Sequence, residues 1–190
     1  KKEFYDNGSL KSKTPCKDGK LEGLGISWYE NAIMDFLPKT KWRERHYKNG
    51  LLEGVETYWY EDGVKSVEQH YKNKEKDGLL TYWETNGTKK LEEHWKDGKQ
   101  EGLETRYHVW EPSFKTYEYN YKNDQKNGLQ TYWYTISDRY YPTDGRKCKQ
   151  GNKKSTQYYK DGLLHGKRTT WDEDGKKTSE VNFVDGEEEK

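Results

Sequence analysis

A spacing near 24 residues recurs along the whole chain and constrains its fold more than any other feature. Six times, an aromatic residue or a cysteine precedes a glycine by seven positions, and a Trp or Tyr follows that glycine after five more. The six pairs are Cys16–Gly23, Tyr47–Gly54, Tyr71–Gly78, Trp95–Gly102, Tyr121–Gly128 and Tyr159–Gly166. Repeats of this length are typical of arrays whose units cannot bury their apolar faces alone and stack on one another.

Each unit contains two short runs of Thr, Tyr, Trp and aliphatic residues, bounded by Asp-Gly or Asn-Gly turns such as Asp62-Gly63. These dipeptides adopt the positive φ angles that tight hairpins require, and no stretch has the apolar periodicity of a helix. The sequence therefore predicts an all-β fold, an elongated single twisted antiparallel sheet of about seven stacked β-hairpins in one repeat domain, 1–190. The hairpins are expected near residues 1–16, 23–47, 54–71, 78–95, 102–121, 128–159 and 166–183.

The composition agrees with such an array. Charged residues make up 36% of the chain, which would normally favour disorder, but the chain also contains 8 Trp, 17 Tyr and 4 Phe. One large ring buries about 150–250 Å², so we expect an aromatic ladder to hold a thin layer together. Five glutamates stand three residues before the aromatic that ends the second strand of a hairpin. We expect them to face away from that aromatic. They are Glu44, Glu68, Glu92, Glu118 and Glu180.

The pattern Tyr/Trp-Lys-Asp-Gly-x-x-x-Gly-x-x-x-x-Trp, followed by a second Asn/Asp-Gly turn, resembles the variant MORN repeat of the bacterial YwqK-family antitoxins. Trp95-Lys96-Asp97-Gly98 with Gly102 is one copy, and the resemblance covers residues 4–190. It implies stacked β-hairpins and a role in binding. It carries no catalytic residues over to this chain.

Three insertions interrupt the regular spacing. The glycine-to-glycine intervals are 31, 24, 24, 26 and 38 residues, so insertions of 7, 2 and 14 residues fall between the two strands of a hairpin, at one edge of the sheet. Insertions are where repeat proteins tend to carry function. The candidate partner-binding residues are Ile33, Met34, Phe36, Leu37, Trp110, Phe114, Tyr140 and Tyr141. They either fold back to cap the sheet or form a patch that binds a partner, since aromatics and Met are enriched in interfaces.

The sequence favours no enzyme, no cofactor and no metal site. His46, His70 and His94 occupy one position of three successive units, two strands or about 9.6 Å apart, which is too far to share a zinc ion with Zn–N bonds near 2.1 Å. We expect them to pair with the glutamates on the same face. The same separation argues against a catalytic pair of glutamates. The chain also lacks a phosphate-binding glycine-rich loop and a Gly-x-Ser-x-Gly elbow.

The two cysteines, Cys16 and Cys148, stand in an early and a late repeat, so we expect both to be free thiols. Cys16 replaces an aromatic of the ladder and is expected to be buried. Free thiols favour a reducing compartment and slightly favour the cytoplasm. The chain begins and ends part-way through a repeat, as a trimmed or mature fragment would, which keeps a secreted or surface-exposed protein open.

A protein is the expected partner. The net charge is +1, with 35 basic and 34 acidic residues intermingled, and this predicts no basic patch for nucleic acid. No apolar run approaches the length of a membrane span. Two hypotheses follow. The first is a non-enzymatic, antitoxin- or immunity-type scaffold that binds a partner protein, and the alternative is a secreted or cell-surface repeat protein that binds a glycan or a host partner.

Overall fold

The computed structural model describes residues 1–30, 39–109, 114–135 and 151–189. These residues form strands and turns, and none of them lies in a helix that could cross a membrane. Within the described ranges, seventeen strands form one antiparallel sheet and two more form a separate small hairpin. The predicted all-β class and the hairpin repeat are therefore confirmed.

The chain divides into two compact units, and the first comprises Lys1–Thr88 and Trp95–Gly98. Most consecutive strands of this unit pair antiparallel, in the order β1, β2, β5, β6, β7, β8, β9, while β3 pairs with β4. The strands are β1 (Lys2–Phe4), β2 (Leu10–Lys13), β3 (Cys16–Lys17), β4 (Lys20–Leu21), β5 (Gly23–Trp28), β6 (Lys41–Lys48), β7 (Leu51–Trp59), β8 (Lys65–Lys72) and β9 (Glu75–Trp83).

The second unit comprises Lys89–His94 and Lys99–Lys190. Its longer strands also pair antiparallel in chain order. They are β10 (Lys89–Lys96), β12 (Gly102–Tyr107), β13 (Lys115–Lys122), β15 (Gly128–Trp133), β16 (Lys153–Lys160), β17 (Leu163–Trp171) and β18 (Lys177–Val184). Three two-residue strands accompany them, namely β11 (Lys99–Gln100), β14 (Gln125–Lys126) and β19 (Glu187–Glu188). The single repeat domain over 1–190 stays a prediction.

Each glycine that opens a repeat has a positive φ, and at Gly78 and Gly102 space is restricted as well. Gly78 has φ of 113°, in the region that side chains rarely adopt, and a Cβ there would lie 3.0 Å from the Cβ of His70. Gly102 has φ of 101°, and its Cβ would lie 3.4 Å from that of His94. At these two positions the glycine therefore also permits a close approach between neighbouring strands.

A β-bulge recurs where the second strand of each hairpin begins. Trp59 pairs with Lys65 and Tyr58 pairs with Val67, so Ser66 is an extra residue on β8. An extra residue reverses the alternation of side chains between the two faces. Lys65 and Glu68 therefore share a face although three positions separate them.

The sheet has two chemically different faces, which we call the threonine face and the tyrosine face. The threonine face carries cross-strand rows in which glutamates and threonines alternate, as in Glu44, Thr57, Glu68 and Thr81. The tyrosine face carries the residues between them, for example Tyr58, Gln69 and Tyr71. Each glutamate thus lies on the opposite face from the aromatic that ends the second strand of its hairpin, as Glu68 does from Tyr71. This arrangement is the predicted one.

Polar side chains account for much of the buried interior of the described residues. Leu80, at 2% exposure, is the buried aliphatic residue of this part of the chain, whereas a threonine is buried at the same place in five repeats. These threonines are Thr57, Thr81, Thr105, Thr131 and Thr169. A single-layer sheet has no second layer against which to bury aliphatic groups, so hydroxyl and methyl groups of threonine line its centre.

The prediction that Cys16 is buried is wrong. Cys16 is a free, exposed thiol on β3, which pairs with β4 in the two-stranded hairpin outside the main sheet. Its sulfur lies 3.7 Å from the N-terminal amine of Lys1. Cys16 therefore does not take the sheet position that Tyr47 and Tyr71 hold in their repeats. Cys148 lies outside the described residues.

Candidate functional site

The predicted insertions stand on the same backbone geometry as the tight turns of the regular repeats. In a regular repeat, the amide of Tyr60 donates to the carbonyl of Val64 at 2.8 Å. The equivalent bonds at the three insertions measure 2.9–3.0 Å and join Tyr29 to Thr40, His108 to Phe114 and Tyr134 to Asn152. Each insertion therefore extends a turn without disturbing the strands that lead into and out of it.

Most of the predicted partner-binding residues lie outside the described residues: Ile33, Met34, Phe36, Leu37, Trp110, Tyr140 and Tyr141. Phe114 is described and is half-buried. Its ring lies beside Gly151, where an added Cβ would be 3.4 Å from the Phe114 Cε1 atom. The bases of the second and third insertions are thus in contact.

Acidic side chains join successive repeats at the opposite ends of the strands. The carboxylate of Glu53 accepts a hydrogen bond from the amide of Asn73 at 2.8 Å, and Asn73 has φ of 51°. Equivalent bonds hold the turns of two other repeats, from the amide of Asn49 to Glu22 at 2.7 Å and from the amide of Asn123 to Glu101 at 2.9 Å. The acid just before the repeat glycine therefore fixes the turn of the following hairpin. The sequence analysis did not predict this role, although an acidic residue directly before the repeat glycine recurs with the repeat.

On the threonine face, the predicted glutamates bind lysines and not the histidines. Lys65 Nζ lies 2.6 Å from a carboxylate oxygen of Glu68 and 5.2 Å from the centre of the Trp83 ring. Lys41 repeats this arrangement with Glu44 and Trp59. Lys89, Lys115 and Lys177 also pair with the glutamate three residues on. The bulge makes these pairs possible. Strand alternation alone places residues three positions apart on opposite faces, so it did not predict them.

Two of the three histidines, His46 and His94, bind backbone carbonyls instead. The Nδ1 atom of His46 lies 3.0 Å from the carbonyl oxygen of Val55, and that of His94 lies 2.7 Å from the carbonyl of Leu103. Each histidine therefore bridges neighbouring strands. The expected direct pairing with glutamate is wrong for His46 and His94, whose Nδ1 atoms face backbone carbonyls while Lys41 and Lys89 pair with Glu44 and Glu92. For His70 it stays a prediction.

The tyrosine face of the first unit surrounds a buried carboxylate. Glu56, 4% exposed, accepts a hydrogen bond from the Tyr58 hydroxyl at 2.9 Å, and Arg45 Nε lies 3.8 Å from the same oxygen. Burial, together with the nearby carboxylate, raises the pKa of Tyr71 to about 12. The Tyr71 hydroxyl therefore stays protonated over the physiological range and remains a hydrogen-bond donor.

The second unit has more rings on the same face. Tyr119 stacks on Tyr117 with ring centres 4.1 Å apart and meets the Tyr132 ring edge-on at 5.4 Å. Lys126 Nζ lies 3.9 Å from the centre of the Tyr119 ring. The Tyr117 hydroxyl donates to buried Glu104 at 2.8 Å. A continuous aromatic ladder along all repeats stays a prediction, since several of the ring contacts run to lysines.

The comparisons with known proteins agree with this repeat geometry. The family model of the MORN repeat variant matches residues 1–18, 52–73 and 164–185. A search of the curated proteins finds no match. The matched segments include the hairpin turns at Asn73 and Asp185, whose residues have positive φ. The stacked hairpins are thus similar to variant MORN repeats over the three matched segments.

Proposed function

We propose that this protein is a non-enzymatic scaffold that binds a partner protein through its edge loops, as an antitoxin or immunity protein occludes a toxin. The edge loops are the connections between Tyr29 and Thr40, between His108 and Phe114, and between Tyr134 and Asn152. The observation that supports the proposal is that one type of backbone hydrogen bond closes all three loops. Insertions of unequal length rest on the same backbone hydrogen bond as the tight turns.

Such an arrangement suits recognition. The strands hold the loop bases in fixed geometry, while the loops differ in length and side chains, as binding loops on rigid scaffolds do. The proposed contact residues are the apolar and aromatic ones predicted from the sequence. Met34 is the residue chosen to test the first loop and Tyr140 the one chosen to test the third. Residues of these types are enriched in interfaces. Contact between Phe114 and Gly151 places the bases of the second and third loops side by side, which supports one continuous patch there.

The second candidate function is a secreted or cell-surface protein that binds a glycan or a host partner. The tyrosine face supports it, because in each unit a phenol hydroxyl of that face bonds a buried carboxylate. The two candidates use different surfaces of the chain. Substitutions in the loops and on the tyrosine face therefore separate them.

The test uses the purified chain as bait in lysate of its native host. Met34→Glu and Tyr140→Glu place charges in the first and third loops, and we expect both to abolish recovery of a specific protein. Lys72→Glu and Lys122→Glu add negative charge at the opposite ends of the strands and should leave recovery unchanged. Growth of cells that express the recovered partner should be restored by the wild-type chain and not by the loop variants. Unchanged recovery with both loop variants would refute the edge-loop proposal.

A further inference from the structure

A cavity of about 300 Å³ opens on the tyrosine face of the first unit. Tyr58, Tyr71 and Tyr82 line it, together with Leu80 and Gln69, which are each 2% exposed. Ligand cavities in proteins measure roughly 300–1,000 Å³, so this one is at the lower limit of that range. Its size suits a small molecule or one ring of a larger molecule.

The polar groups of the cavity are suited to hydroxyl groups. The Glu56 carboxylate accepts hydrogen bonds, and tyrosine hydroxyls both donate and accept them. The amide nitrogen of Gln69 donates to the carbonyl of His70 at 2.8 Å, which fixes the orientation of the amide. Its Oε1 atom is buried and has no hydrogen-bond partner within the described part of the chain. A buried acceptor of this kind is destabilising until a donor reaches it.

The carboxylate of the cavity has a cation beside it. Arg45 Nε lies 3.8 Å from the Glu56 carboxylate. Lys76, which also lines the cavity, has its ammonium 4.1 Å from the centre of the Trp95 ring. Because Arg45 lies close to the carboxylate and Lys76 adds a second cation to the lining, the site favours a neutral polar ligand over an amine. The phenol rings supply flat, electron-rich faces for the C–H groups of such a ligand.

The sequence of the first unit creates this space. Val67 and Gln69 pair across from Tyr58 and Glu56. In the second unit, the equivalent positions opposite Arg106 and Glu104 hold Tyr117 and Tyr119, whose rings stack on each other. The smaller residues at 67 and 69 therefore leave room that two tyrosine rings occupy elsewhere in the array.

We propose that this cavity binds one neutral pyranose ring of a glycan. Tyrosine rings stack on the sugar, and Glu56 and Gln69 accept hydrogen bonds from its hydroxyl groups. The proposal deepens the second candidate function and rests on surface residues separate from the edge loops. Failure of one proposal therefore leaves the other standing.

The test is a titration of the full chain, labelled at its Val and Leu methyl groups, with methyl glycosides of glucose, galactose, mannose and N-acetylglucosamine. We expect at least one glycoside to give saturable shifts of the Val67 and Leu80 methyl resonances, with a dissociation constant of about 1 mM. The Val181 resonances of the second unit should not move. A short oligosaccharide of the same sugar would bind as well or better if the cavity accepts a ring within a chain.

Two variants test the site itself through the Leu80 resonances. The double variant Val67→Tyr, Gln69→Tyr introduces the residues found at the equivalent positions of the second unit and should weaken binding by at least about tenfold. Gln69→Leu removes the unpaired acceptor and should weaken binding while the unfolding midpoint stays close to that of the wild type. The proposal is overturned if no glycoside gives saturable shifts, if both variants bind like the wild type, or if choline binds and the glycosides do not.

Discussion

The hydroxyl of Tyr60 donates a hydrogen bond to the backbone carbonyl of Trp83, 2.7 Å away, although the two residues belong to successive repeats. Tyr5 and Tyr29 bond Trp28 and Trp59 in the same way, each at 2.7 Å. The tyrosine that follows the last aromatic of the first strand, as Tyr60 follows Trp59, thus connects one hairpin to the next by a hydrogen bond. Glu84 and His108 hold this position in the two repeats that begin at Gly78 and Gly102.

Replacement of Tyr60 by Phe should lower the free energy of unfolding by about 1 kcal/mol, because the Trp83 carbonyl loses its donor. Urea unfolding followed by tryptophan fluorescence measures the change. Tyr158→Phe is the matched control, since Tyr158 is 44% exposed and its change should stay within about 0.5 kcal/mol. Equal effects of the two substitutions would show that the Tyr60 bond does not couple the repeats.

Glu92 should make stability depend on pH in the acidic range. Burial raises its pKa, but hydrogen bonds from Lys89 and Tyr107 outweigh burial, so the pKa lies below its ordinary value. A carboxyl of this kind stabilises the fold above its unfolded pKa of about 4.3, and the contribution is lost as pH falls through the lower folded value.

Glu92→Gln should therefore unfold at lower urea concentration than the wild type at pH 7 and at a similar concentration near pH 3. The exposed turn residue Glu61 supplies the control, because Glu61→Gln should change the midpoint little at either pH. A deficit of Glu92→Gln that is the same at both pH values would argue against stabilisation by the ionised carboxylate.

Gly78→Ala should destabilise the chain more than Gly63→Ala does. Both glycines have positive φ, 113° and 88°, so each substitution introduces backbone strain of about 1–3 kcal/mol. A Cβ at Gly78 would also lie 3.0 Å from the Cβ of His70, whereas one at Gly63 would have nothing within 4 Å. Thermal unfolding of the two variants separates strain from crowding. Equal losses would mean that the strands move apart without cost.

Alkaline pH should weaken the fold through the buried phenols. Burial and the hydrogen bond to Glu104 raise the pKa of Tyr117 to about 12. Since the unfolded pKa is about 10, stability is complete below that value and falls as pH rises through the folded value.

Unfolding midpoints measured between pH 9 and 12 should therefore decline less steeply for Tyr117→Phe than for the wild type. Tyr158→Phe again serves as control, with a decline like that of the wild type. Absorbance of the phenolate should show a group of tyrosines that ionise late. If all tyrosines ionise together near pH 10 while the chain is still folded, the buried-phenol account is wrong.

The insertions, Lys65 and Cys16 show which features could be predicted from the sequence and which could not. Intervals between glycines predicted that the insertions lie between the two strands of a hairpin, and the closing bonds at Tyr29, His108 and Tyr134 agree. The part played by Lys65 could not be predicted from strand alternation, because the bulge at Ser66 reverses it. For Cys16, spacing alone predicted a sheet position, whereas the short hairpin at this end holds the thiol outside the main sheet.

The sequence by itself determined the hairpin array, since glycine at positive φ and the Asp-Gly and Asn-Gly turns permit few other backbones. Only the tertiary structure decided which partners the charged and phenolic groups take. Lys65 meets Trp83 and Glu56 meets Arg45 because residues distant in sequence become neighbours across strands. Lys65 also meets Glu68 of its own strand, because the bulge at Ser66 places both on one face. Pairing across strands depends on register and bulges, which are set by hydrogen bonds between backbones and not by the identity of either side chain alone.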